Sequence, residues 1–150
     1  MEYSTGSIGR CVCLRLHEGD PVYQSIEDVA TAENLSAGVV VVIGGVKNGT
    51  VVVGPKNQDE RPLKPDVEHF DNGREIAGVG TLFKNEEGKL KLHMHASIGH
   101  GKEPAIVGCP RLGLDSWLIT EIVILELVGL NAVRVRESSG LELLSLFNIN

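Results

Sequence analysis

Aromatic side chains are scarce in this sequence: one tryptophan, two tyrosines and three phenylalanines, 4% of 150 residues. That excludes a core of stacked rings, and there is no exposed aromatic pair of the kind that reads single-stranded RNA. Cysteine is as sparse. Cys11, Cys13 and Cys109 are odd in number and contain no CxxC pair, which argues against an extracellular disulfide framework. Positive charge is in deficit, with 14 Lys and Arg against 20 Asp and Glu and a net charge of -6. The densest basic set, Lys84, Lys89 and Lys91, is diluted by Glu86 and Glu87, and no basic tail or Arg-rich arm is present. An acidic chain is repelled by duplex DNA unless its basic residues cluster. Strong autonomous DNA binding is therefore disfavoured, while a basic patch assembled in an oligomer stays open. Long apolar runs are missing too. Residues 117–130 carry Glu121 and Glu126 and fall short of the roughly 20 residues a membrane helix needs. The N-terminus has neither the basic start nor the apolar stretch of a signal peptide. The expectation is a soluble cytoplasmic protein with no membrane partner.

What is present is an ordinary globular balance, 42% hydrophobic and 23% charged, with 18 glycines. The length fits one domain over residues 1–150, able to bury roughly 68–70% of its unfolded surface. Residues 10–16 alternate, with Val12, Leu14 and Leu16 on one face, as in a half-buried strand. Cys11 and Cys13 share the other face, where a small-hydrophobe role outweighs chemistry. Asp20 before Pro21 predicts a helix start with Asp20 as cap and Pro21 in the first turn. Val22, Ile26, Val29 and Ala30 then follow at helical spacing up to about Asn34. Residues 38–46, GVVVVIGGV, read as a buried strand. Asn48-Gly49 predicts a tight hairpin into residues 50–53, and residues 55–72, with Pro55, Pro62 and Pro65, a long surface loop. Strands are expected at 75–83 and 118–127, with a closing hairpin over 133–136 and 141–147. One helix and many strands predict an α+β domain built on a mostly antiparallel or mixed sheet.

Residues 89–98 carry the most information. Leu90, Leu92, Met94, Ala96 and Ile98 alternate with Lys89, Lys91, His93, His95 and Ser97. The period of two puts both histidines on one polar face, about 6.5–7 Å apart. Two such imidazoles can converge on zinc or another borderline metal. A merely solvated strand face is the competing reading. His100 and Cys109, both beside glycines, are the candidates for a third ligand. His17 and His69 are isolated and read as surface or turn residues. Glu121 shares a strand face with Ile119, Val123, Leu125 and Leu127, so it needs a partner or a raised pKa. It is a candidate general acid/base, with an interface position as the alternative.

Several segments together resemble the PPC domain, which stands alone in bacteria and archaea and is joined to AT-hooks in plant nuclear proteins. They are Gly9-Arg10 with Leu14-Arg15-Leu16-His17-Glu18-Gly19-Asp20, the VVVIGG of residues 40–45, and Gly73-Arg74-Glu75-Ile76 with Gly80-Thr81. LHMHASIG at 92–99, Gly108-Cys109 and Thr120-Glu121-Ile122 complete the set. The match runs from about Gly9 to Phe147, and departs from the family where a Phe is absent after Arg74. The resemblance implies a homotrimer with the His-bearing strand near subunit contacts. It also implies a fold similar to acetolactate decarboxylase, whose zinc is held by three histidines. His93 and His95 carry over, and the third position falls on Cys109, with His100 as the substitute. Two functions follow as expectations. One is a trimeric regulatory or DNA-associated module carrying a metal. The other is a metal-dependent lyase or hydrolase acting on a small carbonyl compound.

Overall fold

Ten strands and one helix account for most of residues 1–147, the part that the computed structural model describes. In chain order they are β1 (Ser7–His17), α1 (Val22–Ala32), β2 (Ala37–Lys47), β3 (Gly49–Pro55) and β4 (Pro65–Phe70). Then come β5 (Arg74–Lys84), β6 (Leu90–Gly99), β7 (Ile106–Gly108), β8 (Asp115–Val128), β9 (Ala132–Arg136) and β10 (Glu142–Leu146). Six of them form one sheet in the order β1-β8-β2-β5-β6-β7. Every pairing between named strands is antiparallel, and β3-β4 and β9-β10 form two separate ribbons.

One face of the sheet is covered by α1. Val22, Ile26 and Ala30, four residues apart, are fully buried and pack with Leu16, Val40, Val42, Met94, Ile122 and Ile124. Full burial of a Val or Ile stabilises by about 1.5–3 kcal/mol, so these contacts fix the helix more firmly than its caps do. Asp20 does not cap it. Backbone bonds from Gly19 and Val22 to Ser116 and Leu114 hold this segment extended, and the cap position falls on Pro21 (φ −73°, ψ 116°). The Asp20 carboxylate accepts the His17 N–H at 2.8 Å instead.

Among the described residues the opposite face has no helix. Residues 38–46 are therefore buried on one side only: Val40 and Val42 are inaccessible, while Val41 is 40% and Ile43 51% exposed. Cross-strand register sets Cys13, Val123, Val41, Val79 and His95 in a row on this outer face. Val79 and Val107 are each 61% exposed there, and Cys11 and Cys13 face out rather than filling the core. A bulge between Gly44 and Val46 bends β2 against β8. Gly44 sits at φ 124°, with its α-carbon pressed against the Ile119 carbonyl, where a side chain would collide.

Asn48-Gly49 does not make a hairpin between β2 and β3. Both edges of β2 are already taken by β5 and β8, so β3 leaves the sheet and pairs with β4. Asn48 takes the left-handed conformation (φ 52°), and Gly49 is required because a side chain would enter the Phe70 ring. The second half of the expected 55–72 loop is thus strand β4.

β6 is tied to β5 along its whole length, but β7 covers only Ala96–Ile98 on its other side. The uncovered stretch is served by side chains. Glu27 Oε1 accepts the Leu92 N–H at 3.0 Å, and the Tyr23 hydroxyl donates to the Met94 carbonyl at 3.2 Å.

Candidate metal centre

The uncovered stretch of β6 is where the candidate site forms. Its burial alternates as the period of two requires: Leu92, Met94 and Ala96 face the core, and His93, His95 and Ser97 face out. The two imidazoles stand edge to face with centroids 5.1 Å apart. After Gly108 the chain peels off β6 and pairs with β3 through reciprocal 2.9 Å bonds between Cys109 and Val52. Gly108 is needed at this crossing, because an added Cβ would run into the Val52 carbonyl oxygen. The detour turns buried Cys109 toward the histidines. One donor atom from each of His93, His95 and Cys109 lies within 4.8 Å of the others.

Two imidazoles and a thiol suit a borderline metal. A tetrahedral zinc with the usual bond lengths would hold such donors about 3.3–3.6 Å apart. Closing the remaining gap takes roughly 1 Å, within reach of two exposed histidine side chains. Burial, then the charges of Arg134, His95 and Arg111, lower the His93 pKa below its ordinary value. The ring is accordingly neutral near pH 7, the form that ligates. The Tyr23 hydroxyl sits 3.6 Å from Cys109 Sγ, and burial, then the neighbouring Cys109, push its pKa up, so it stays a donor.

The other two candidates lie elsewhere. His100 is exposed and its Nδ1 is 2.9 Å from the Gly73 carbonyl, outside the group of three donors. Glu121 is exposed on β8, opposite Ile43 and Arg15, so β2 and β5 stand between it and β6. Three strand spacings amount to roughly 14 Å, too far for it to exchange protons at the histidines of its own chain.

Sequence reasoning missed much of the surroundings. A cavity of about 280 Å³ adjoins the three donors, walled by the β3-β4 ribbon (Val52, Val53, Pro65), by Val107 and by Leu141 between β9 and β10. Lys64 and Arg111 also line it. Arg134, 4% exposed, reaches from β9 to Thr81 Oγ1 at 2.9 Å and stands over the Phe83 ring. None of these residues has a periodic or spaced signature, because loops, the three-residue strand β7 and the two ribbons bring them in.

The sequence profile of the Plants and Prokaryotes Conserved (PCC) domain matches residues 3–128. No curated protein matches the sequence. Among solved structures, the fold is similar to a plant- and prokaryote-conserved protein of Pyrococcus horikoshii (21% identity, TM-score 0.83, 99% of this chain and 100% of that one). It is similar also to a metal-containing protein of Archaeoglobus fulgidus (21%, 0.81, 95% and 98%). A candidate DNA-binding protein of Ralstonia eutropha shares it as well (20%, 0.70, 89% and 90%). At these identities the structures speak for the fold, and the profile, which spans most of the sequence, speaks for kinship: the chain belongs to the Plants and Prokaryotes Conserved domain family.

Proposed function

We propose that this chain acts as one domain, assembles as a homotrimer and carries a divalent transition metal, zinc by donor chemistry, at His93, His95 and Cys109. The observation that carries the reading is the convergence of three metal-binding side chains from two separate segments beside a cavity. The metal-containing Archaeoglobus neighbour supports it. A bound metal of this class would polarise a carbonyl or activate water. The chain's own residues do the rest. His93 and His95 offer lone pairs from a rigid strand, and the Tyr23 hydroxyl, whose proton goes to the Met94 carbonyl, stands 3.6 Å from the Cys109 sulfur and packs against it. Metal-dependent chemistry on a small carbonyl compound, of lyase or hydrolase type, is the activity this arrangement serves best.

The exposed Val41, Ile43, Val79 and Val107 support assembly, since an apolar sheet face is ordinarily covered. DNA association is the second reading, favoured by neighbours such as the Ralstonia protein and opposed by the charge of -6. Elemental analysis and native mass of the purified protein test the first reading together. One metal per chain and a mass three times the monomer are expected; a protein that neither contains nor takes up zinc overturns the metal site. DNA contact is tested by titration against salt. Absence of salt-sensitive binding at low ionic strength sinks it.

A further inference from the structure

Among the described residues the cavity beside the three donors is lined by two cations and by no carboxylate, in a chain whose acidic residues outnumber its basic ones by 20 to 14. Lys64 has a partner, Glu60, at 3.7 Å. Arg134, in the adjoining groove, is occupied by Thr81 and by the Lys91 carbonyl. Arg111 is different. It is exposed, forms no hydrogen bond or ion pair among the described residues, and lines both the cavity and the adjoining groove. Glu142, the one acidic residue lining that groove among the described residues, faces Arg136 at 3.9 Å. The rest of the lining is mainly apolar: Val52, Val53, Leu63, Val107 and Leu141.

We infer that this cavity binds a small monocarboxylate, with Arg111 taking the carboxylate and the apolar wall taking a short branched aliphatic end. The inference deepens the metal reading and rests on it for the charge balance. Two neutral imidazoles and one thiolate leave a divalent ion with a net charge of +1, and Arg111 adds a second. A planar guanidinium matches a carboxylate through two parallel bonds, which a neutral amide of the same shape cannot reproduce. The volume of about 280 Å³ lies at the lower end for small-molecule pockets and restricts the ligand to a few carbons.

Isobutyrate is the probe, with isobutyramide as its neutral isostere and inorganic phosphate as a competing anion. Calorimetric or NMR titrations are run on zinc-loaded and chelator-treated protein, for the wild type, Arg111→Gln and Arg111→Lys. Zinc content and thermal melting are measured on each sample. The expected result is wild-type binding of isobutyrate at least about tenfold tighter than of the amide. Arg111→Gln should lose that preference with zinc content and melting unchanged, and Arg111→Lys should recover part of it. If the protein holds no zinc yet binds isobutyrate through Arg111, the metal reading falls and the carboxylate site stands. If zinc is bound but the amide binds as well as the acid, or Arg111→Gln changes nothing, the carboxylate site falls alone. Phosphate displacing isobutyrate at equal concentration would also overturn the choice of ligand.

Discussion

Gly108→Ala is a one-carbon change that tests how the site is assembled. The α-carbon of Gly108 is pressed against β3: an added methyl would overlap the Val52 carbonyl oxygen and come within 3.0 Å of a Val51 methyl group. Neither obstacle can give way easily, since Val51 is fully buried and Val52 is tied to Cys109 by two 2.9 Å backbone bonds. Overpacking of this kind costs about 1–3 kcal/mol. If the strands separate to relieve it, each lost bond adds about 0.5–1.5 kcal/mol. At roughly 2–4 °C per kcal/mol for a protein of this size, a fall of several degrees in Tm is expected. The functional consequence should be larger in proportion. Cys109 is the next residue, and a shift of 1 Å in its sulfur spoils a donor set that already has to close by about that much. Zinc affinity, read by competition with a chromophoric chelator, should fall at least about tenfold. Gly54→Ala is the control. It lies on the same ribbon and lines the same cavity, but a side chain there meets nothing within 4 Å. Wild-type melting and zinc affinity in Gly108→Ala would refute the claim that the close crossing of β7 and β3 delivers Cys109.

Other expectations are as direct. Cys109→Ala should weaken zinc binding at least about 100-fold, while Cys109→His retains it; equal affinity in all three proteins would remove Cys109 from the site. Val79→Asp, on the outer face, should leave the fold intact and convert a trimer to monomers, as read by light scattering; an unchanged mass argues against that face as the interface. Glu126 is held near a pKa of about 2, well below its ordinary 4.5, chiefly by hydrogen bonds from the Arg10 side chain and backbone. A depressed carboxyl stabilises above its unfolded pKa and loses that contribution as the pH falls toward the folded value. Glu126→Gln should therefore flatten the loss of stability between about pH 5 and pH 2, and an unchanged acid limb in urea titrations would count against the pairing.

The strands were largely legible from the sequence, because alternation records which face meets the core. β6 shows this best: its ten residues alternate without a break, and the histidines fall where the period puts them. The same logic misleads at residues 38–46, where unbroken valines read as a strand covered on both sides. Local sequence carries no count of helices available to cover a sheet, and the described residues hold one. Asn48-Gly49 and Asp20-Pro21 carry genuine local signals, overridden by partners distant in sequence: β5 and β8 around β2, and residues 114–116 against 19–22. From the residue pattern Cys109 was legible only as one of two candidates, beside His100, and the family resemblance favoured it. Its approach to the histidines depends on a pairing with Val52, 57 positions away; Arg111 follows on the same segment, and Tyr23 arrives separately on α1.

The side chains of Glu27 and Tyr23, on the unpaired stretch of β6, have a consequence for how the protein keeps to itself. A bare strand edge is a template on which another molecule can add a strand and start a fibril. Here the gap that admits Cys109 would be such a template, yet a helix covers it, filling one amide and one carbonyl with groups that cannot propagate a ladder. Protection of the open edge is thus supplied by α1 at the very stretch that carries the candidate metal donors. Loosening that helix would leave the strand of His93 and His95 free to recruit a neighbour's edge.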